Sequence, residues 1–146
     1  MAATRSSDSG RRAPRIAAWL AAAGFLFVAA FQVAVVLGTP WGKYTQGGGT
    51  SSALPASERI VAAVSCLLSI LMTGAILARA GGGPMRRLPP RVVTVLAWIT
   101  TVLAVITVVL NVITRSTAER AIWAPISIVL LLLVATVMVT TRRGAS

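Results

Sequence analysis

Apolar residues fall into four long runs, at 16–37, 60–78, 92–113 and 121–140, and nearly all of the chain's charge, glycine and proline lies between them. A helix rising about 1.5 Å per residue needs about 20 residues to cross a hydrocarbon core of about 30 Å, so each run predicts one membrane-spanning helix. The third run is rich in Val, Ile and Thr. These residues lower helix propensity in water but are accepted in lipid, where every backbone group must be bonded within the segment. The pattern predicts an all-α, four-transmembrane-helix bundle: a single membrane domain over 16–141, with tails at 1–15 and 142–146.

The breaks carry their own signals. Gly, Pro, Ser and Thr over 38–56 predict a long loop, longer than a simple connection requires, and Gly81-Gly82-Gly83-Pro84 ends the second helix. Residues 114–120 form a tight polar turn. The first 15 residues are polar, with Asp8 and four arginines, and predict a flexible basic tail. The apolar run after it is too long for a signal peptide and lacks a small-x-small exit, which predicts an uncleaved anchor.

Charge sets the orientation. The net charge of +11 arises from 14 Lys plus Arg against 3 Asp plus Glu. Ten of the basic residues lie in the two tails and the 79–91 connector, against four (Lys43, Arg59, Arg115 and Arg120) on the opposite side. An excess of this kind in short segments places both termini in the cytoplasm, an N-in/C-in topology, and the same clusters can hold anionic lipids at that face. No basic helix face and no interleaved aromatics support nucleic-acid binding. A hydrophobic share of 56%, a charged share of 12% and a mean hydropathy of +0.84 argue against a soluble fold. The weight of Ala, Arg, Gly and Val fits a GC-rich bacterial genome and a bacterial cytoplasmic membrane.

Little chemistry is on offer. There is one cysteine, Cys66, no histidine, and three acids, Asp8, Glu58 and Glu119. This excludes an intramolecular disulfide and the usual zinc, haem and Cys-His arrangements, and leaves a hydrolase little to work with. No enzyme, metal or cofactor is expected, and an active site would require Glu58 and Glu119 to converge on one cleft. Cys66 is expected as a small packing residue within its span.

Candidate residues gather near the outer ends of the spans. In Pro40-Trp41-Gly42, proline stops the first helix, glycine permits the turn and Trp41 sits at headgroup level; alternatively, Trp41 and Tyr44 form a lid or docking surface. Ser116-x-x-Glu119 has capping-box spacing, with the carboxylate expected to reach back to the helix start. The alternative for Glu119 or Glu58 is to meet a cationic substrate or a proton, or to be neutralised by the adjacent Arg120 and Arg59. Gln32 and Asn111 are the strongest polar residues inside spans and are expected as interhelical glue. Pro125 frees the Ala121 carbonyl, for which the Asn111 amide is the expected donor, the alternative being that Asn111 caps a helix or faces interfacial water. Small residues spaced by four, at Ala30, Ala34 and Gly38 and at Ser65, Ser69 and Thr73, predict two close-packing faces. Small multidrug exporters share the size and helix number but depend on an acid within a span. The absence of such an acid here argues against proton-coupled cation export.

Pro40-Trp41-Gly42, Gly47-Gly48, Leu54-Pro55, Asn111, Ser116-Thr117-Ala118-Glu119-Arg120 and Trp123-Ala124-Pro125 together resemble an uncharacterised family of small bacterial four-helix integral membrane proteins. The resemblance covers roughly 38–125 and implies a membrane location but no reaction. The functional expectation is a non-enzymatic accessory or structural protein whose outer loops contact a membrane or envelope partner. The competing expectation is a component of an oligomeric transporter, which includes a homo-oligomer. A polar groove lined by Gln32, Asn111 and several threonines would favour transport; a dry bundle with a structured Trp41 loop would favour interaction.

Overall fold

The computed structural model describes residues 3–143, with side chains described over 12–141. Four long helices account for most of it: α1 (Ala3–Val36), α2 (Ala56–Arg79), α3 (Pro90–Ile113) and α4 (Thr117–Arg143). Each contains a segment of 24 or 25 residues long and apolar enough to cross a membrane, and no strand occurs among the described residues. The helices run up and down in chain order. α1 packs most extensively on α2, α4 closes the ring by packing on both α3 and α1, and the α2–α3 contact is much sparser.

The helix ends follow from local chemistry. At the end of α1, Gly38 takes a φ of 92°, its N–H bonds the Val35 carbonyl at 3.0 Å, and Thr39 N–H reaches back to Ala34 O at 3.2 Å. This is a Schellman closure, which needs a residue without a Cβ penalty at the left-handed position. Arg59 on α2 adds a further cap, donating from Nε to the Val36 carbonyl at 2.7 Å. The end of α2 repeats the device: Gly81 has a φ of 78°, and Gly82 N–H bonds Leu77 O at 2.8 Å. A short 3-10 turn, Pro84–Arg87, then lays Met85 over Gly74, where a Cβ would lie 2.6 Å from the sulfur. Pro89 and Pro90 start α3 at positions that need no N–H donor.

Two boundary expectations change. The segment expected as a flexible tail is helical from Ala3, with Pro14 inside α1. Once a span is nucleated, each added residue gains a hydrogen bond for one residue fixed, so polarity alone does not end a helix. At the other end, residues 142 and 143 continue α4, and the remainder of the expected C-terminal tail lies outside the described residues, as do residues 1–2.

The solid core occupies the half of the bundle nearer the 80–89 connector. Ala17, Ala18, Ala21, Ala22 and Phe25 of α1 meet Met72, Ile76 and Leu77 of α2, Ala97 and Ala104 of α3, and Leu130, Val134, Val137 and Met138 of α4. Alanines on α1 let the helix backbones approach closely, the usual source of helix attraction where lipid removes the hydrophobic driving force. This stripe replaces one of the two expected small-residue faces. Ala30 is exposed, whereas Ser69 and Thr73 of the second face are buried. Exposed Trp19, Leu20, Phe27, Leu67, Val95, Ile99, Val102, Val129 and Leu132 cover the outside of the bundle, an apolar surface suited to lipid.

Cys66 is half-buried within α2. In intact cells it is expected to react with a membrane-permeant maleimide and to resist an impermeant one. Fast reaction with the impermeant reagent would show that water reaches this depth from outside.

Candidate functional site

The other half of the bundle is hollow. A cavity of about 550 Å³ lies between the helices beneath the 38–55 loop. Its walls follow helical spacing: Phe25, Val28 and Gln32 from α1; Ser65, Leu68, Ser69 and Met72 from α2; Leu103, Ala104, Thr107, Leu110 and Asn111 from α3; Glu119, Trp123, Ile126, Ser127 and Leu130 from α4. Thr45, Gln46 and Gly47 of the loop and residues 113–115 form the roof. The floor consists of Phe25, Met72, Ala104 and Leu130, which belong to the solid core, so the cavity is closed toward the connector end. Leu68 of α2 and Leu110 of α3 are 37% and 57% exposed, which places its side opening at the sparse α2–α3 seam.

The roof is held by side chains from the start of α4. The 38–55 loop contains a 3-10 turn at Gly42–Tyr44, and then Gln46, Gly47 and Gly48 take φ values of 50°, 86° and 68°. This left-handed path carries Gly47 N–H to Glu119 Oε2 at 2.9 Å. Ser116 Oγ donates to the Lys43 carbonyl at 2.9 Å, and the Trp123 indole N–H donates to the Tyr44 carbonyl at 2.7 Å. Gln46 Nε2 ties the same loop to α2 through the Glu58 carbonyl at 2.8 Å. A Cβ on Gly48 would meet Ser116 Oγ at 2.5 Å, so the close approach requires glycine there. Gly42 is also backed tightly, with Ser52 O at 2.8 Å from where its Cβ would be.

Aromatic packing reinforces the contact. Trp41 stacks on Phe31 of α1 with centroids 5.6 Å apart, and Phe31 meets the edge of Trp123 at 4.7 Å. Trp41 therefore serves as a cover on the bundle's own aromatic cluster, although 39% of its surface stays exposed. Tyr44 is half-buried, with Lys43 Nζ 4.7 Å above its ring.

Several expected contacts are rearranged. Half of the capping box forms, with Glu119 N–H donating to Ser116 Oγ at 3.1 Å. The carboxylate does not close the box; its Oε2 takes Gly47 N–H and, at 2.7 Å, the Thr114 hydroxyl. Glu119 is 8% exposed and lies inside α4, within the candidate span from Thr117 to Thr141. The helix starts before the apolar run, so Glu119 sits in its first turn at the mouth of the span, and no acid lies between the flanks of a span among the described residues. Asn111 does reach α4, but Nδ2 donates to the Trp123 carbonyl at 3.4 Å, not to that of Ala121. At about 100° per residue, the face carrying 119, 123 and 127 turns Ala121 away from α3.

The remaining candidates disperse. Glu58 is half-buried in the first turn of α2 and does not line the cavity, so the two glutamates share no cleft. Arg59 caps α1, while Pro40, Arg120 and Pro125 are exposed. Gln32 lines the cavity, with Oε1 buried and lacking a partner. Sequence reasoning missed Thr114, Gln46, Ser127 and the Phe31 platform, none of which stands out by type. Among the described residues no group of three His, Cys, Asp or Glu could hold a metal ion.

Comparison with protein-family models, curated proteins and solved structures finds no match to this chain.

Proposed function

We propose that this chain is a non-enzymatic, multi-pass protein of a bacterial cytoplasmic membrane that binds a small amphipathic molecule in the loop-end cavity. The observation that carries the reading is the cavity itself. Its volume falls within the range of about 300–1,000 Å³ typical of small-molecule sites, with an apolar floor and a few convergent polar groups above it. The exposed α2–α3 seam gives an apolar chain a route in from the bilayer. A solid floor makes the site a pocket and not a pore, which favours a binding or accessory role over conduction by one copy. The oligomeric transporter remains the second reading, favoured by the polar wall of Gln32, Asn111, Thr107 and Thr114. Docking of Trp41 onto Phe31 occupies much of the aromatic surface that a protein partner would otherwise use.

With ten basic residues at the connector end and tails against four at the loop end, the pocket faces the outside of the cell. Reporters fused after Gly83 or Ser146 should be cytoplasmic, and one inserted near Gly49 external; an external C-terminus would overturn this orientation. The resemblance described above rests on residues that meet at this roof, among them Trp41, Gly47, Gly48, Ser116, Glu119 and Trp123, and we attribute it to a shared pocket. The pocket is tested by native mass spectrometry of protein held in amphipol with a panel of C12 amphiphiles. One molecule should bind per chain, and Ser127→Phe, which fills the cavity, should remove it. Binding by neither protein, or equally by both, would refute the pocket.

A further inference from the structure

Resting on that reading, we propose that the pocket selects a primary ammonium headgroup on a single apolar chain, seated on Oε1 of Glu119. The first argument is charge. Glu119 is 92% buried by its 8% exposure, and a buried carboxylate needs compensation. Both of its side-chain hydrogen bonds land on Oε2, and among the described residues no lysine or arginine pairs with it. Among the described residues, the buried side-chain nitrogens and oxygens lacking a partner are Gln32 Oε1 and Arg79 Nε. Glu119 Oε1 takes neither of the two bonds and is absent from that pair, so it keeps open surface, and Glu119 lines the cavity.

Nearby cations are otherwise engaged. Lys43 lies over the Tyr44 ring and Arg59 caps α1. Arg115 lines the rim but is exposed, so water and salt screen its charge far more than that of the buried carboxylate.

The second argument is the supply of acceptors. The hydroxyls of Ser69, Thr107 and Ser127 each donate to a carbonyl of their own helix, and that of Thr114 donates to Glu119. Their lone pairs are what remain for a ligand. Asn111 gives one hydrogen of its Nδ2 to the Trp123 carbonyl and Gln46 one of its Nε2 to the Glu58 carbonyl, so each keeps one N–H beside its amide oxygen. Hydroxyl lone pairs around one carboxylate are complementary to N–H donors carrying positive charge. A carboxylate or phosphate headgroup would be repelled by the Glu119 carboxylate, and a quaternary ammonium would bring charge without donors.

The test uses the full chain in amphipol with dodecylamine, dodecyltrimethylammonium, dodecanol and dodecanoate, each binding constant read by native mass spectrometry. Dodecylamine should bind about 10–100-fold more tightly than dodecanol, the range expected of a charge-assisted hydrogen bond. Glu119→Gln should erase that difference, and a circular dichroism melt matching the wild type reports that the fold is intact. Ser127→Phe should lose both dodecylamine and dodecanol. Dodecanoate binding as tightly as dodecylamine, or an unchanged amine preference in Glu119→Gln, would overturn the ammonium assignment and leave the pocket standing. Should Glu119→Gln not fold, the wild-type ranking of the four probes decides alone. Failure of every probe would overturn the pocket and the assignment together.

Discussion

Trp123→Ala is expected to lower stability in mild detergent by about 3–5 kcal/mol, the usual cost of removing a buried Trp. Trp123 is 9% exposed, meets Phe31 edge-on, lies 6.2 Å from Phe27 and donates to the Tyr44 carbonyl. Its loss also frees the roof, so trypsin should cut after Lys43 much faster than in the wild type. Trp123→Phe keeps an aromatic ring against Phe31 but loses the N–H donor and part of the indole, and should cost less, about 1–3 kcal/mol. The control is Trp19→Ala, at a position 60% exposed on the bundle exterior. If Trp123→Ala were no more damaging than the control, and Lys43 no more accessible, the aromatic cluster would not be what holds the loop.

Ala21→Leu should be the most damaging small change in the solid half. Ala21 is fully buried in the cluster joining the four helices, and the extra carbons can be accommodated only by pushing helices apart. Overpacking of this kind costs about 1–3 kcal/mol. Ala23→Leu, two residues on and exposed, should stay within about 0.5 kcal/mol of wild type. Circular dichroism melts of the two variants separate the cases. Equal melting would mean that α1 is not held by its alanine stripe.

The contrast between Ala21 and Ala23 shows where sequence reading stops. Both are alanines in one apolar run, and only the rotation of α1 against its neighbours makes one of them core. The stripe at Ala30 and Ala34 looked equally suited to packing, yet Ala30 faces outward. In a helix that is apolar all round, the usual amphipathic signal that reveals the inner face is missing. The polar residues were more legible. Gln32 and Asn111 stood out because each is costly in lipid, and both line the cavity. Their partners could not be read, since a register two residues away moves the Asn111 contact from the Ala121 carbonyl to that of Trp123.

Four spans and the uneven distribution of arginine follow from the chain alone, because transfer of apolar side chains into lipid and satisfaction of backbone groups within each helix are local requirements. The same holds for the stops at Gly38 and Gly81, where a left-handed φ is a property of one residue. The hollow half, its roof and the inward placement of Glu119 are not local. They depend on how α2 diverges from α3 and on three backbone groups of a distant loop, Lys43 O, Tyr44 O and Gly47 N–H, arriving over the first turns of α4. Backbone groups carry no residue identity, so no spacing of side chains announces them. Only the packed arrangement turns a helix-capping glutamate into the acidic wall of a pocket.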